Sequence, residues 1–405
     1  MKNRTRISDE NLLMIVLAFM CFSIGIWGNY RQLWLSDNGF DIVSISRLFS
    51  VALICSAVIS FIISLFSYKI KVKNVTLLSM VLRIISMIIL LITKDNFIIK
   101  TCMLLCIMCE VIFSIAYYPL LTFITKTDES YRKKTLIEYF ARDIGIVSCG
   151  LLIGVTFGKY VFNYDTCLIL ALISSIIASI FLLVYKSNEH HKKTINLVKS
   201  TKKLLVNKIN KTYLINQLII NISYGIIFDL IMLILTDYIN FNVAFTSVFI
   251  IVCNVLGSVV ATILSKIGTN LSITMSSIIK FGSRSIGYVL AFVFGSIPMF
   301  IVAIVMAFIT SRILEDKVTG SFLQIIDEED QFLYGNIRYF IACLGEGIGA
   351  FLAGILVVKS VKYLFLGAGV LTIIQTIILI YLDKIKKDWF FYKNIVLLTR
   401  SLFLV

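Results

Sequence analysis

The sequence has few charged residues for its length. Of its 405 residues, 15% are charged and 59% are hydrophobic, and the mean hydropathy is +0.95. About a quarter of the residues of a soluble domain are charged, so this scarcity of charge excludes an ordinary soluble protein. We predict a protein that is solvated mainly by lipid.

The sequence also lacks the motifs of enzymes and of ATP-driven pumps. Its only two histidines are neighbours, His190 and His191, and it contains no H-E-x-x-H motif. It has no P-loop of the form G-x-x-x-x-G-K-[ST], which an ATP-driven pump would need. We therefore predict that the chain is not an enzyme and uses no cofactor, since an enzyme needs a constellation of nucleophile, base or metal ligands.

Three of the nine cysteines, Cys102, Cys106 and Cys109, fall on one face of a helix. They could ligate a soft metal, but small buried thiols are far commoner in apolar helices. No metal site is predicted. The remaining cysteines are scattered through apolar runs, mostly one at a time.

The net charge of +15 would indicate a nucleic-acid partner in a soluble protein. Here most basic residues lie in short loops between apolar runs, and the segment from Lys186 to Lys211 contains eight lysines. Cytoplasmic loops carry an excess of Lys and Arg, so we predict that both termini are cytoplasmic and that nucleic acid is not a partner. The richness in Ile, Lys and Asn favours a bacterial protein, which would place the chain in a bacterial plasma membrane.

Twelve apolar runs are long enough to cross a bilayer as helices of roughly 20 residues each. The sequence shows no alternating pattern of a membrane β-barrel, and lipid satisfies no free backbone groups, so all must be helical. The first run is too long for the apolar region of a signal peptide and is predicted to be retained. The runs are 11–35, 43–66, 76–93, 98–125, 136–158, 164–185, 212–236, 243–265, 271–294, 297–314, 336–358 and 362–382.

Two related halves are indicated by residues that recur at an offset of 200. Examples are Ser23, Gly25, Asp37, Tyr139, Gly145 and Gly154, which recur as Ser223, Gly225, Asp237, Tyr339, Gly345 and Gly354. We predict a six-helix bundle in residues 1–185, a basic cytoplasmic linker in 186–211, a second six-helix bundle in 212–384, and a cytoplasmic or interfacial tail in 385–405.

The stretch Glu138–Gly158 places three ionisable residues, Glu138, Arg142 and Asp143, at the head of an apolar helix. Glycines follow at positions 145, 150, 154 and 158. The last three share one helix face, where a second backbone could come close.

These features resemble the major facilitator superfamily: twelve helices in two halves, a basic central loop and cytoplasmic termini. The loop motif of that superfamily is degenerate in SLFSYKIKVK (64–73), where Lys69 and Lys73 keep basic positions. The glycine series of its proton-driven exporters is matched better, although the proline of that motif is absent. The resemblance implies an all-α membrane protein of twelve transmembrane helices in two pseudo-symmetric halves, most like bacterial proton-coupled exporters of drugs or metabolites.

Carboxylates inside the apolar runs are the candidates for proton coupling, because charges retained in a membrane are functional candidates. Glu110 lies midway along the fourth run, and we predict Arg142 as its partner. Asp229 lies deep in the seventh run, where its repeat-mate is Asn29, also polar. Glu138 and Asp143 complete the set.

Candidate substrate-binding residues are polar or aromatic positions in the first, fourth and seventh runs, which the resemblance places around a central cavity, together with Glu346 among the glycines of the eleventh run. Arg31 either binds an anionic group or reaches the outer interface, and the sequence favours neither. Lys280 and Arg284 face either the cavity rim or a lipid-side partner such as Glu346, and the sequence favours neither. The candidates are Asn29, Arg31, Tyr117, Tyr118, Asn221, Tyr224 and Glu346.

The function predicted from the sequence is secondary active transport of a small molecule by alternating access, as efflux in exchange for protons. The rival within this class is uptake, or carriage of an anionic metabolite, because the membrane arginines suit a cationic substrate poorly. A membrane enzyme or a receptor of the same fold is the alternative from another class. Protons, lipid and a small molecule are the predicted partners of a monomer.

Overall fold

The computed structural model describes the backbone of residues 9–66, 71–124, 128–154, 163–186, 206–267, 271–313 and 328–402. Within these ranges the chain forms helices with short connections and no β-strand. Twelve helices, α1 to α12, follow one another. They are α1 (Asp9–Asp37), α2 (Ile42–Phe66), α3 (Val72–Ile92), α4 (Asn96–Ile124), α5 (Asp128–Gly154), α6 (Tyr164–Val184), α7 (Lys208–Phe228, continued by Ile231–Leu233 and Ile234–Tyr238), α8 (Val243–Ile267), α9 (Ile273–Ser277, Ile278–Gly282 and Ser283–Phe294), α10 (Ile297–Arg312), α11 (Glu328–Lys359) and α12 (Lys362–Leu402).

Ten of these helices are long and apolar enough to cross a membrane, and α10 is a shorter apolar helix. The predicted fold class, an all-α membrane protein, is therefore confirmed. Several helices begin a few residues before their predicted apolar runs, and the two longest extensions are those of α5, which begins at Asp128, and α11, which begins at Glu328. Each has a polar first turn before the apolar run, and a helix continues through such residues because they have adequate helix propensity.

Short turns with recognisable chemistry separate the helices. Between α1 and α2, Gly39 adopts φ +83°, a left-handed conformation that costs glycine little. Asp41 then precedes α2, where the hydrogen bond with the Ser44 side chain lowers the pKa of its carboxyl below the ordinary value. Gly295 ends α9 with φ +58°, as is usual just beyond a helix C-terminus.

The first compact unit comprises residues 1–194, 228–252 and 350–358. In it α1 packs along α5 and α6, while α3 packs along α4 and α6. Its core includes Leu13, Val16 and Met20 of α1, packed with Tyr117 of α4 and Leu182 of α6.

The second compact unit comprises residues 195–227, 253–349 and 359–405. Here α9 packs along α10 and α12. A core cluster joins Tyr213 of α7, Phe281 of α9, Ile337 of α11 and Leu379 of α12.

The boundaries of these units differ from the two halves of the sequence, since segments 228–252 and 350–358 cluster with the first half. The predicted division at 185 and 212 stays a prediction, and most of the linker 186–211 lies outside the described residues. The predicted tail, 385–405, continues α12 without a break as far as Leu402.

A repeated hydrogen bond reflects the duplication. On α1, Ser23 donates to the carbonyl oxygen of Ala171 on α6 at 2.7 Å, in the first unit. Its repeat-mate Ser223 on α7 donates to the carbonyl oxygen of Ala368 on α12 at 3.2 Å, in the second. In each half this serine therefore joins the first helix to the sixth.

Candidate functional site: a buried Arg–Glu–Arg triad

Glu110, buried midway along α4, receives hydrogen bonds from two arginines. Its Oε2 accepts from Nη1 of Arg31 on α1 at 2.9 Å. Its Oε1 accepts from Nε and Nη2 of Arg83 on α3, at 3.2 and 3.0 Å. We call Arg31, Glu110 and Arg83 the triad. It links three helices of the first unit through one carboxylate.

Arg83 is fully buried, and each of its three guanidinium nitrogens has an acceptor. Besides the two hydrogen bonds to Glu110, Nη1 donates to Ser23 at 2.7 Å and to Ser175. The Sγ of Cys106 lies 3.9 Å from the backbone carbonyl oxygen of Arg83. A buried charge is tolerated when it is paired and hydrogen-bonded, and Arg83 meets both conditions.

Arg31 is held less completely. Its guanidinium lies over the ring of Phe49 on α2, 4.8 Å from the ring centre, and its Nη1 donates to Glu110. Its Nε is buried without a hydrogen-bond acceptor among the described residues. About 15% of the side chain is exposed, so Arg31 is the member of the triad that has a donor to spare.

The triad carries one more positive than negative charge, because two arginines share one carboxylate. Arginine stays protonated at any pH a protein meets, whereas a carboxylate can take up a proton. The net charge is therefore +1 with Glu110 ionised and +2 with Glu110 protonated. Chemically, the triad can change its charge only at Glu110.

The predicted partnership of Glu110 with Arg142 is wrong. Arg142 Nη2 lies 3.9 Å from Oε1 of Glu138, one turn earlier on α5, while Glu110 is paired by Arg31 and Arg83. The reason is helix packing: α5 lies along α1, and α3 lies along α4. The helix that follows α4 in the chain is thus not the one that supplies its cation.

Three other candidates have contacts within their own helix or with a neighbouring backbone, and a fourth is exposed. Asn29 donates to the carbonyl oxygen of Gly25 at 2.9 Å, and Asn221 to that of Gln217 at 2.6 Å. Tyr117 is buried, donates to the carbonyl oxygen of Leu13 and stacks on Phe113. Tyr224 of α7 is exposed. Their predicted roles in substrate binding stay predictions.

The carboxylates predicted beside Glu110 lie on other helices. Asp229 is buried at the break in α7, directly after the segment Lys208–Phe228. Asp143 on α5 and Glu346 on α11 are partly buried. The side chain of Tyr118 lies outside the described residues. Of the predicted site residues, the structure brings together Arg31 with Glu110, and Glu138 with Arg142.

Arg83, Ser23 and Ser175 are site residues that sequence reasoning did not select. Arg83 had a clear signal, an arginine in the middle of the third apolar run, where a charge is costly and needs a partner. The serines had only a weak one, since small polar residues are common in membrane helices.

In the second unit, Lys280 and Arg284 of α9 are also buried. Lys280 Nζ donates to the carbonyl oxygen of Ser311 at 3.3 Å. Arg284 Nε donates to Oγ1 of Thr310 at 2.8 Å. The two alternatives for this pair, the cavity rim and a partner such as Glu346, both stay predictions.

No protein-family model matches the chain, and no curated protein sequence matches it. Solved structures do. A point mutant of the nucleoside transporter NupG superposes with a TM-score of 0.72 at 13% identity, over 93% of this chain and 100% of that one. A POT family transporter in complex with 5-aminolevulinic acid gives 0.69 at 15% identity, over 93% and 96%. The human organic anion transporter MFSD10 gives 0.64 at 8%, over 91% and 98%.

The fold is one that membrane transporters use. At identities this low, a structural match shows the fold alone. The three matches confirm the predicted twelve-helix architecture over nearly the whole chain. The three structures named above are all transporters rather than enzymes. Substrate, direction and coupling ion have to be argued from the chain's own residues.

Proposed function

We propose that this chain is a secondary transporter that moves a small molecule across a membrane and couples the movement to protons at Glu110. The observation that carries the proposal is the triad, a carboxylate held between the fully buried Arg83 and the partly exposed Arg31 on a fold that transporters share. Charged residues inside a membrane are expensive, and those retained usually lie on an ion or substrate pathway.

Protonation of Glu110 would have consequences for three helices. The neutral acid loses the charge that holds Arg31 of α1 and Arg83 of α3 against α4. The loss of one charge therefore weakens two ion pairs at once. A local change of this kind can bias the packing of a bistable element, which alternating access requires.

The other predicted proton carriers, Asp229, Glu138 and Asp143, remain part of the proposal. The burial of Asp229 supports it, and so does the position of Glu138 beside Arg142. The basic loops support cytoplasmic termini, and the richness in Ile, Lys and Asn supports a bacterial plasma membrane. We propose that the protein functions as a monomer.

Efflux by proton antiport is the second candidate, because α5 carries the glycines typical of proton-driven exporters. Two of them have packing partners: Gly145 faces the backbone of α1, and Gly150 faces Ser247 of α8. Close packing alone accounts for these two glycines, so they support the fold more strongly than the direction of transport.

The proposal is tested by transport in liposomes that contain the purified protein. A mixture of anionic, neutral and cationic metabolites is offered, and the compounds that accumulate are identified by mass spectrometry. We expect accumulation to require a pH gradient and to collapse with an uncoupler. An acidic outer solution should drive accumulation by co-transport, whereas an acidic lumen should drive it by antiport.

Glu110→Gln should abolish gradient-driven accumulation but allow exchange of substrate between equal concentrations, because the variant cannot carry a proton. Asp37→Asn, which removes an exposed carboxylate from the end of α1, should behave like the wild type. Accumulation that survives the uncoupler, or that Glu110→Gln leaves intact, would refute proton coupling at Glu110.

A further inference from the structure

Arg31 has hydrogen-bonding capacity that the protein does not use. A guanidinium has five N–H donors, and among the described residues only Nη1 of Arg31 has an acceptor, Glu110. The Nε donor is buried and has none. A buried donor that lacks an acceptor is unfavourable because it has lost its hydrogen bonds to water, so an acceptor from outside the protein would be favourable here.

A second unused donor lies one turn away on the same helix. Trp27 is completely buried, and its Nε1 has no acceptor among the described residues. Residues four apart share one face of a helix, so the donors of Trp27 and Arg31 belong to the same face of α1. By contrast, Nε1 of Trp34, two turns along from Trp27, donates to Asp165 at 2.8 Å.

The charge of the triad selects the kind of acceptor. The surplus charge of +1 repels a cation, and it gives a neutral acceptor no advantage over water. An anion would neutralise the surplus and could engage the guanidinium at two donors, as carboxylates and phosphates commonly do. Phe49, against which the guanidinium lies, would supply an apolar wall beside that anion.

We infer that Arg31, with Trp27 beside it, binds the carboxylate or phosphate group of an anionic substrate. This inference rests on the proposed transport function and names its substrate class. The other two members of the triad then have distinct roles. Arg83 holds Glu110 in place, and Glu110 competes with the substrate anion for Arg31.

Competition for Arg31 couples the substrate to the proton. When an anion takes Arg31, Glu110 retains only Arg83, and protonation of the carboxylate becomes easier. By linkage, protonation of Glu110 strengthens anion binding by the same factor. A monovalent anion and one proton together leave the net charge of the triad at +1, so the two are carried together. The coupling is therefore co-transport, in contrast to the antiport predicted from the sequence.

Three probes of one shape and different charge test the substrate class: benzoate, the neutral benzamide and the cationic benzamidine. Inorganic phosphate is the second anion. Binding is measured by calorimetry and by tryptophan fluorescence in nanodiscs of zwitterionic lipid, at neutral pH and at a lower pH that still leaves benzoate ionised. We expect an anion to bind, with an affinity that rises about tenfold as the pH falls, and the other two probes not to bind.

Variants assign the site. Arg31→Gln should weaken anion binding about tenfold to a hundredfold, the range for a charged hydrogen bond. Arg31→Gln leaves a neutral Glu110–Arg83 pair, so this variant should fold. Arg31→Lys should bind the anion with intermediate affinity, because lysine keeps the charge but lacks the planar guanidinium. Arg47→Gln removes an exposed arginine of α2 and should bind like the wild type. Glu110→Gln should bind the anion tightly at both pH values.

Several outcomes would overturn the inference: binding of benzamidine but of no anion, no binding of any anion, or equal anion affinity in the wild type and Arg31→Gln. Anion binding that disappears when anionic lipid is added would assign the site to a lipid headgroup and overturn the substrate class. These results are independent of the transport test, since proton-driven accumulation of a neutral or cationic compound would support the proposed function and refute the anion site.

Discussion

Arg83 and Arg31 share one carboxylate but differ in how completely they are satisfied. Every guanidinium nitrogen of Arg83 has an acceptor, and the side chain is fully buried. Arg31 uses one donor and is partly exposed. A fully satisfied buried charge belongs to the framework of a protein, whereas a partly satisfied one is free to exchange partners.

This difference predicts unequal costs of removal. Arg83→Met leaves Glu110 with Arg31 alone and should lower the free energy of unfolding by about 3–5 kcal/mol, the range for breaking a buried ion pair. Arg31→Gln should cost much less, because it removes a surplus charge and keeps Glu110 paired with Arg83. Thermal unfolding of the purified variants in detergent, followed by size-exclusion chromatography after heating, measures both.

Arg47→Gln again serves as the control for loss of an arginine. Equal destabilisation by Arg83→Met and Arg31→Gln would contradict the distinction drawn here between a structural and an exchangeable arginine.

The sequence was informative about which residues are charged in the apolar runs and uninformative about their partners. Glu110 was identified because a lone carboxylate in a long apolar run is conspicuous. Its partner was misassigned to Arg142 because neighbours in the chain were assumed to be neighbours in space. The pairing depends on which helix lies beside α4 at the depth of Glu110, and packing decides that.

At the scale of helices, glycines mark the places where two backbones meet. Gly145 of α5 lies against α1, where an added Cβ would be 2.5 Å from the carbonyl oxygen of Phe22. The repeat-mate Gly345 of α11 lies against α7, where a Cβ would be 2.7 Å from the carbonyl oxygen of Leu218. The sequence predicted a close approach along 150, 154 and 158. Of these three, Gly150 lies against the side chain of Ser247 on α8, and the surroundings of Gly154 and Gly158 lie outside the described residues.

Gly145→Ala and Gly345→Ala should therefore both destabilise the protein, by about 1–3 kcal/mol for overpacking. A backbone carbonyl cannot rotate away as a side chain can, so the helices must separate. The melting temperature and the yield of monodisperse protein measure the effect. Gly28→Ala, whose Cβ would meet only a side-chain methyl of Ile24 at 3.6 Å, is the matched control.

Tolerance of alanine at Gly145 and Gly345, at the level of Gly28→Ala, would show that α1 and α5, or α7 and α11, lie farther apart than described. Because the two positions are repeat-mates in separate units, parallel effects would also show that the packing has been preserved in both halves.

At the scale of the whole molecule, the duplication includes a counterpart of Arg83 but no counterpart of the Glu110 carboxylate. Arg284 on α9 corresponds to Arg83, displaced by one residue from the offset of 200. It follows the π-helical turn Ile278–Gly282, and such a turn adds one residue to a helix. At the position equivalent to Glu110 stands Thr310, to which Arg284 donates. The repeat thus predicted the fold well, because it concerns packing, whereas the titratable carboxylate occurs in one half only.

The first unit contains helices from both halves, and among the described residues two side-chain hydrogen bonds join α1 to α8 and α2 to α11. Tyr30 of α1 contacts Ser247 of α8, and Ser46 of α2 donates to the carbonyl oxygen of Ala350 on α11. The predicted orientation places all four residues toward the outer side of the membrane. If the protein works by alternating access, these contacts must open in each transport cycle.

A bulky side chain introduced at Gly354, which we call the wedge, tests this requirement. An added Cβ at Gly354 would lie 2.9 Å from Cβ of Ser46, so Gly354→Trp should force α2 and α11 apart and hold this contact open. A cysteine placed at Ser46 should then react several-fold faster with a membrane-impermeant maleimide added from outside, while transport is lost. Phe351→Trp, at an exposed position of α11, controls for the added tryptophan. Gly354→Trp is designed to trap the state in which this contact is open. Equal labelling of Ser46→Cys with and without Gly354→Trp would therefore mean that the contact does not open in the transport cycle.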